Sequence, residues 1–351
     1  MKISKLLTEW YKKNARDLPW RHTQDPYLIW ISEIILQQTQ VKQGAGYYNR
    51  FIQKYPDVMA LANASEKDVL MVWQGLGYYS RARNLLAAAK QIVTDFQGKL
   101  PCSWHELKKL KGIGDYTAGA IASIAFREPV VAIDGNVSRV ISRLYGFEVP
   151  IDSKEGVKLI RDQTLKILDK DDPGTFNQAL MELGALCCKP ANPSCADCPL
   201  NAFCSALSKQ KVHKIPVKTN RNLIRTRWFN YFIIKCNGYV FIEQRKKRDI
   251  WNSLFQFPLV ETEGNLPREL VLEELSNQVN VFPEDSKVTS VSEPIQHKLT
   301  HQSIIARFFE LELPENNLGW PEEWIKIPGE QLNHYPFPVL IKNYLHKTLI
   351  F

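Results

Sequence analysis

"LKGIGDYTAGA", residues 110–120, decides how the first half of this 351-residue chain folds. Two glycines flank one isoleucine. "SWHELKKL" (103–110) before them and "DYTAGAIASIAF" (115–126) after them both suit helices. A helix, a G-x-G turn and a second helix make a helix–hairpin–helix. Gly112 and Gly114 let the backbone turn and come close to a ligand. The second helix then offers unpaired N–H groups and a positive dipole end. A nucleic-acid phosphate fits there without any base contact. A plain helix–turn–helix corner has the same signature. A dinucleotide-binding turn does not, because no strand precedes it and the third glycine is missing. Asp115 suits a helix N-terminus, yet an outward carboxylate would repel a phosphate.

Outward from this turn the pattern stays helical. "DPYLIWISEIILQQTQV" (25–41) opens with Asp25 as N-cap and Pro26 at the first helical position. "SRARNLLAAAKQIVTDF" (80–96) and "SKEGVKLIRDQTLKIL" (153–168) carry apolar residues at helical spacing. Residues 1–208 therefore form one mainly α domain. "KQKVHKIPVKTNRNLIRTR" (209–227) holds seven Lys or Arg and no acid, which reads as a basic linker. Beyond it the period changes. "WFNYFIIK" (228–235) and "YVFIEQRK" (239–246) are strands joined across Asn237-Gly238, a pair that tolerates positive φ at both turn positions. "RELVLEELSNQV" (268–279) reads as a helix and "SIIARFFELEL" (303–313) as a strand. Residues 228–351 are thus an α+β domain.

Composition sets outer limits. At 44% hydrophobic and 23% charged, the chain can bury a sizeable core. A net charge of +8 favours a polyanionic partner. No signal peptide is read at the N-terminus, and no run approaches the ~18 apolar residues of a membrane span. The expectation is a cytoplasmic protein without membrane partners, in a compartment where cysteines stay reduced. Five of its seven cysteines lie between Cys187 and Cys204. Cys188, Cys195, Cys198 and Cys204 read C-x6-C-x2-C-x5-C, and Pro190, Pro193 and Pro199 favour a loop that lets four thiolates converge. Zinc and an iron–sulfur cluster both suit such a set. Cys187, Cys102 and Cys236 read as ordinary thiols, with Cys187 facing elsewhere.

Two carboxylates stand out. Glu33 lies within the nearly all-apolar "YLIWISEIIL" (27–36), where desolvation raises a carboxyl pKa and suits a general acid. The alternative is a glutamate on the wet face of a half-exposed helix. Asp134, in "VVAIDGNVSRV" (130–140), reads as an N-cap, which also orients it. "QGLGYYSRARN" (74–84) sets Tyr78 and Tyr79 beside Arg81 and Arg83, a combination that can stack on bases and hold phosphates.

Taken together, the hairpin, "AIDGNVSRV" and C-x6-C-x2-C-x5-C resemble the endonuclease III superfamily of base-excision DNA glycosylases. Within it, "LPWR", "SEIILQQTQV", "GLGYYSRARNL" and "FNQALMELGALC" are similar to the MutY-type adenine glycosylase family. The resemblance covers residues 8–205 and extends, more loosely, to a Nudix-like C-terminal domain. It implies a helix–hairpin–helix glycosylase fold with an iron–sulfur loop at 188–204, a 4Fe-4S cluster on the four cysteines, and double-stranded DNA carrying adenine opposite 8-oxoguanine or guanine. It implies Glu33 as general acid, Asp134 as stabiliser of the oxocarbenium-like sugar, and Tyr116 and Asn136 as groups that orient carboxylates and water. Trp20, Arg21 and Gln178 match positions lining the adenine pocket. Gln38, Thr39, Leu76, Gly77 and Tyr78 match positions that fill the vacated stack and contact the partner strand. Bifunctional relatives carry lysine where this chain has Tyr116, and a tyrosine cannot form a Schiff base. The C-terminal domain has no Glu-rich box in register, so recognition is expected of it and pyrophosphate hydrolysis is not. The family's Phe-Ser-His loop reads Leu299-Thr300-His301 here. A monomer associated with the nucleoid is expected. A thymine- or uracil-mismatch glycosylase and a DNA-binding iron–sulfur protein that only senses damage are the alternatives. Glu33 and the C-terminal domain argue against the first, and Glu33 with Asp134 against the second.

Overall fold

Side-chain caps start seven of the described α-helices. In the computed structural model, which describes residues 2–219, 224–279, 287–313 and 320–348, the chain opens with α1 (Lys2–Asn14), α2 (Pro26–Leu36), α3 (Val41–Lys54), α4 (Val58–Ala62), α5 (Glu66–Trp73) and α6 (Ser80–Phe96). Then come α7 (Trp104–Leu107), α8 (Asp115–Phe126), α9 (Gly135–Tyr145), α10 (Lys154–Ile167), α11 (Pro173–Leu186) and α12 (Ser205–Ser208). Asp25 accepts from the Tyr27 N–H, Asp134 from Val137 and Ser153 from Gly156. Each such cap is worth about 1 kcal/mol.

Two helices are shorter than their sequence patterns. The pattern of α2 runs to Val41, but the helix stops at Leu36 because Gln38 adopts a positive φ of 57°. The "SWHELKKL" helix shrinks to α7, after which Lys109 and Leu110 donate to carbonyls only three residues back. Gly112 closes the hairpin at φ +78°, and a Cβ there would sit 2.6 Å from Cβ of Asn84. Glycine is therefore required on two counts.

By contact the chain divides into two compact units: Met1–Ala64 with Arg83–Asn220, and Ser65–Ala82 with Arg221–Phe351. In the first, α11 packs against α1, α8 and α9. Leu7, Val140, Ile141, Leu144, Phe176, Leu180 and Leu183 form one of its apolar clusters, with Ile160 and Ile167 of α10. Fully buried Asn177 ties the layers: its amide donates to Ser123 and to the Val130 carbonyl, and its oxygen accepts from the Ala132 N–H. Those bonds fix the short segment leading to Asp134.

The basic stretch after residue 208 is not a free connector at its start. Ile215 accepts from buried Arg143, Val217 accepts from the Ile151 N–H, Thr219 bonds Asp152, and Lys211 pairs with Glu148. Residues 209–219 thus belong to the helical unit, and part of their charge is spent on its own acids.

The second unit contains α5 and, among the described residues, an eight-stranded mixed sheet. Its strands are β1 (Arg225–Cys236), β2 (Tyr239–Gln244), β3 (Phe255–Gln256), β4 (Leu259–Thr262), β5 (Lys287–Val291), β6 (Ile295–Lys298), β7 (Gln302–Glu312) and β8 (Trp324–Pro328). Asn237 and Gly238 both take positive φ and join β1 to β2 in an antiparallel hairpin. Central β1 runs parallel to β7 from Arg225↔Gln302 to Lys235↔Glu312. α13 (Arg268–Val279) places Val271 and Leu275 on Phe232, Phe309 and Leu311, while α14 (Val339–Thr348) stacks Tyr344 on Phe308. Among the described residues no helix is long and apolar enough to cross a membrane.

Candidate active site

A cleft of about 1020 Å³ opens in the helical unit. Its walls carry Trp20 and Arg21 from the turn after α1, Glu33 from α2, Gln38 and Thr39 beyond it, Gly112, Gly114 and Tyr116 from the hairpin, Asp134 and Asn136 at the start of α9, and Gln178 and Glu182 from α11. Trp20, Arg21, Glu33, Gln38, Thr39, Gly112, Gly114, Tyr116, Asp134, Asn136 and Gln178 thus converge on one space, whereas Leu76, Gly77, Tyr78, Tyr79, Arg81, Arg83 and the cysteines do not line it.

Glu33 is not on a wet face. It is 8% exposed, held among the apolar residues of α2. Burial pushes its carboxyl up to about 7. A hydrogen bond from the Tyr116 hydroxyl to Oε2 opposes this rise, the nearby Asp134 charge adds to it, and Arg21 opposes it. Tyr116 is itself half-buried. Desolvation and the two carboxylates hold its phenol far above the ordinary range, so it stays a proton donor.

Asp134 is built differently. Burial raises its carboxyl as well. Against that, Oδ1 accepts from the Val137 N–H at 2.7 Å and Oδ2 from the Asn136 amide at 2.7 Å. The Asn136 oxygen accepts from Arg139 at 2.8 Å, and Arg139 reaches on to the carbonyls of Gly184 and Cys188, both at 2.8 Å. A Cβ at Gly184 would lie 2.6 Å from Cβ of Asn136, so α9 and α11 can approach this closely only with glycine there. Burial is the largest influence on both carboxyls, and the two differ in what opposes it: several donors at Asp134, chiefly the Tyr116 hydroxyl at Glu33. Unequal surroundings of this kind push the two carboxyls apart.

The opposite wall holds a clasp that the sequence did not suggest. Glu182, 1% exposed, accepts from Arg16 at 2.6 and 2.8 Å and from Arg21 at 2.7 and 3.0 Å. Burial alone would raise its carboxyl, but the two guanidinium groups outweigh burial and hold it at about 2. The clasp fixes Arg21, whose guanidinium carbon also stands 5.4 Å from the Tyr11 ring centre. Trp20 is buried and edge-packed on Tyr48. Within "MELG", Glu182 looks like any helix-surface acid, so no sequence signal marked it.

Asp115 points outward and pairs with Lys108 at 2.5 Å, while its carbonyl accepts from the Trp104 indole. The acid at the hairpin is therefore neutralised. Gly114 caps α8 with nothing within 4 Å of a built Cβ, which leaves the helix N-terminus open.

Leu76, Gly77 and Tyr78 fall in the second unit. Leu76 is buried, whereas Tyr78 is 42% exposed and its hydroxyl meets that of Thr300 at 2.5 Å. Leu299, Thr300 and His301 form the tip between β6 and β7, closed by the Leu299 N–H on the Gln302 carbonyl.

Cys188, Cys195, Cys198 and Cys204 line one small cavity. Cys187, expected to face elsewhere, lines it too, with its thiol donating to the Ser194 carbonyl. Its neighbour Cys188 is turned to the same space because both follow the tight end of α11, where both N–H groups reach the Leu183 carbonyl. Buried Arg143 secures the loop through Lys189, Pro190 and the sulfur of Cys188. Among the described residues no three His, Cys, Asp or Glu side chains close round a single ion.

Comparisons with known proteins agree with this layout. Residues 31–163 match the HhH-GPD superfamily of base excision DNA repair proteins, and residues 230–347 match the NUDIX domain. The chain is 35% identical over 300 residues to adenine DNA glycosylase of Buchnera aphidicola subsp. Schizaphis graminum, covering 85% of this chain and 84% of that one. It is 32% identical over 343 residues to the protein of the same name from Buchnera aphidicola subsp. Acyrthosiphon pisum, covering 96% and 95%. The human adenine DNA glycosylase is 41% identical over 217 residues, 59% of this chain and 39% of that one. Among solved structures, a thermostable thymine-DNA glycosylase superposes with a TM-score of 0.55 at 27% identity, over 59% of this chain and 95% of its own. An endonuclease III–DNA complex superposes with a TM-score of 0.52 at 23% identity, over 59% and 94%, which establishes the helical fold.

Proposed function

The chain belongs to the adenine DNA glycosylase family, enzymes of base-excision repair that hydrolyse an N-glycosyl bond, and from that premise we propose that it removes adenine mispaired with 8-oxoguanine or guanine without cutting the strand. The observation that carries the mechanism is buried Glu33, hydrogen-bonded by Tyr116 and sharing one cleft with Asp134.

The duplex hides the glycosidic bond, so the adenine leaves the stack before reaction. Adenine is a poor anionic leaving group. With its pKa near 7, Glu33 carries a proton at neutral pH in a substantial fraction of molecules and can pass it to a ring nitrogen. The C–N bond then breaks with its electrons going to the base, and positive charge grows on the sugar. Asp134, held by the Val137 N–H and Asn136, is placed to offset that charge. Water adds to the sugar carbon and gives up a proton, leaving an abasic site. Trp20, Arg21 and Gln178 form the wall available for the base. The hairpin at Gly112 and Gly114 offers open N–H groups to a phosphate.

Five thiols line one cavity, and the four spaced C-x6-C-x2-C-x5-C form a donor set that fits a 4Fe-4S cluster. Cys188, Cys195, Cys198 and Cys204 would hold it, and it would supply the covalent tie that closes the 188–204 loop. In the C-terminal unit, the tip Leu299–Thr300–His301 with Tyr78 is the candidate reader of the base opposite adenine.

One assay tests the reading. Duplexes carrying A opposite 8-oxoguanine, A opposite G, T opposite G and U opposite G are incubated with the protein, then treated with alkali. Cleavage is expected at the two adenine mispairs only. A cut only at thymine or uracil sinks the proposal, and so does no cut at all. Borohydride should trap no protein–DNA adduct, and efficient trapping would overturn the monofunctional assignment.

A further inference from the structure

A carboxamide presents its oxygen and its NH2 group with nearly the same shape and opposite chemistry. Turning it by half a rotation exchanges acceptor for donor. Any discrimination by Gln178 therefore depends on what blocks that turn. The Tyr11 hydroxyl, from α1, donates to Oε1 of Gln178 at 2.6 Å. Tyr11 is not part of the cleft lining, whereas Gln178 is. Among the described residues the phenol has no other acceptor, and Nε2 of Gln178 has no protein partner. Turning the amide would leave the phenol proton without an acceptor in a half-buried place, a cost that favours one orientation. The ring is steadied by Arg21 over its face, and Arg21 by Glu182. Burial holds the phenol above its ordinary range, so it donates throughout the neutral region.

We propose that Tyr11 is a positioning residue: it fixes which end of the Gln178 amide carries the acceptor, and so sets part of the discrimination between adenine, with an amino group at C6, and a 6-oxopurine. This rests on the reading of the cleft as the adenine pocket.

The test is a double-mutant cycle in the full-length protein with Tyr11→Phe, Gln178→Ala and both. Single-turnover excision is measured for adenine and for hypoxanthine, each opposite 8-oxoguanine, with duplex affinity and melting temperature measured in parallel. Tyr11→Phe removes one hydroxyl and keeps the ring. It should slow adenine excision about three- to ten-fold, as expected for one hydrogen bond, with duplex affinity unchanged. The preference for adenine over hypoxanthine should narrow. In the Gln178→Ala background the same substitution should change the adenine rate less than about two-fold. An equal loss in both backgrounds, or an unchanged rate in Tyr11→Phe, overturns the proposal alone. Normal adenine excision by Gln178→Ala removes the pocket reading, and the proposal falls with it.

Discussion

Both units bury charge, and they treat it in opposite ways. In the C-terminal unit, Arg227 meets Glu261 at 2.6 Å and Asp249 at 2.8 Å, and Arg245 meets Asp249 at 2.6 Å. Both guanidinium groups also stand over the Phe229 ring. Glu261 is held at about 2, chiefly by its Arg227 bonds. In the helical unit, Glu33 is more deeply buried and receives a phenol and no guanidinium, and it rises to about 7. Matched charge yields shape, because every group already has what it needs. Mismatched charge yields a proton that can be given away. The contrast recurs inside the cleft itself, where Glu182 and its two arginines make a rigid wall opposite Glu33.

The sharpest way to test this comparison is Glu33→Gln. Excision of adenine should slow about 10²–10⁴-fold, the range of a general acid, while binding of the mispaired duplex in a gel-shift assay persists. Retained turnover would break the assignment. On the matched side, Arg227→Met removes one cation from Glu261 and Asp249, which keep Lys247 and Arg245, and should destabilise the C-terminal unit by about 2 kcal/mol. Faster hydrogen exchange at β1 and β4 amides reports it, and unchanged exchange would mean that the cluster is idle. Next comes the stability of Glu33→Gln. The folded-state pKa of Glu33 lies above its unfolded value of 4.5, so the folded protein binds more protons between pH 4.5 and about 7, and stability falls as pH rises through that window. Glutamine has no proton to lose. The variant should therefore be more stable than the parent at pH 8, by up to about 3 kcal/mol, and the gain should fade toward pH 4.5 in urea titrations. A gain independent of pH would contradict the burial argument. The smallest effect belongs to Lys108→Ala. The exposed pair with Asp115 is worth under about 1 kcal/mol of stability, but its loss bares a carboxylate beside the hairpin. Duplex affinity at low salt should drop a few-fold and return on adding Asp115→Asn.

Much of the architecture was readable because it rests on local chemistry. Caps at Asp25 and Asp134, the Asn237-Gly238 turn and the apolar run around Glu33 need only near neighbours in the sequence. What escaped depends on partners far along the chain. Glu182 meets Arg16 across 166 residues, so nothing near "MELG" distinguishes it from a solvated acid. Lys108 resolves the awkward Asp115, seven residues away but across a turn whose exact path decides the pairing. Cys187 was misread because its direction is set by the way α11 unwinds, not by spacing. The basic stretch 209–219 was read from composition as a connector, and only Glu148, Asp152 and Arg143 reveal that it is held.

The cap at Asp134 bears on how this enzyme can decay. One carboxylate both begins α9 and lines the cleft, so selection for a folded protein guards it even where selection for repair has lapsed. Glu33 has no such second guardian. Its burial weighs on the fold at neutral pH, so drift toward an uncharged residue would be welcomed by stability. In a duplicated copy released from repair, Glu33 should be the first of the two to disappear, and Asp134 should outlast the activity it once served.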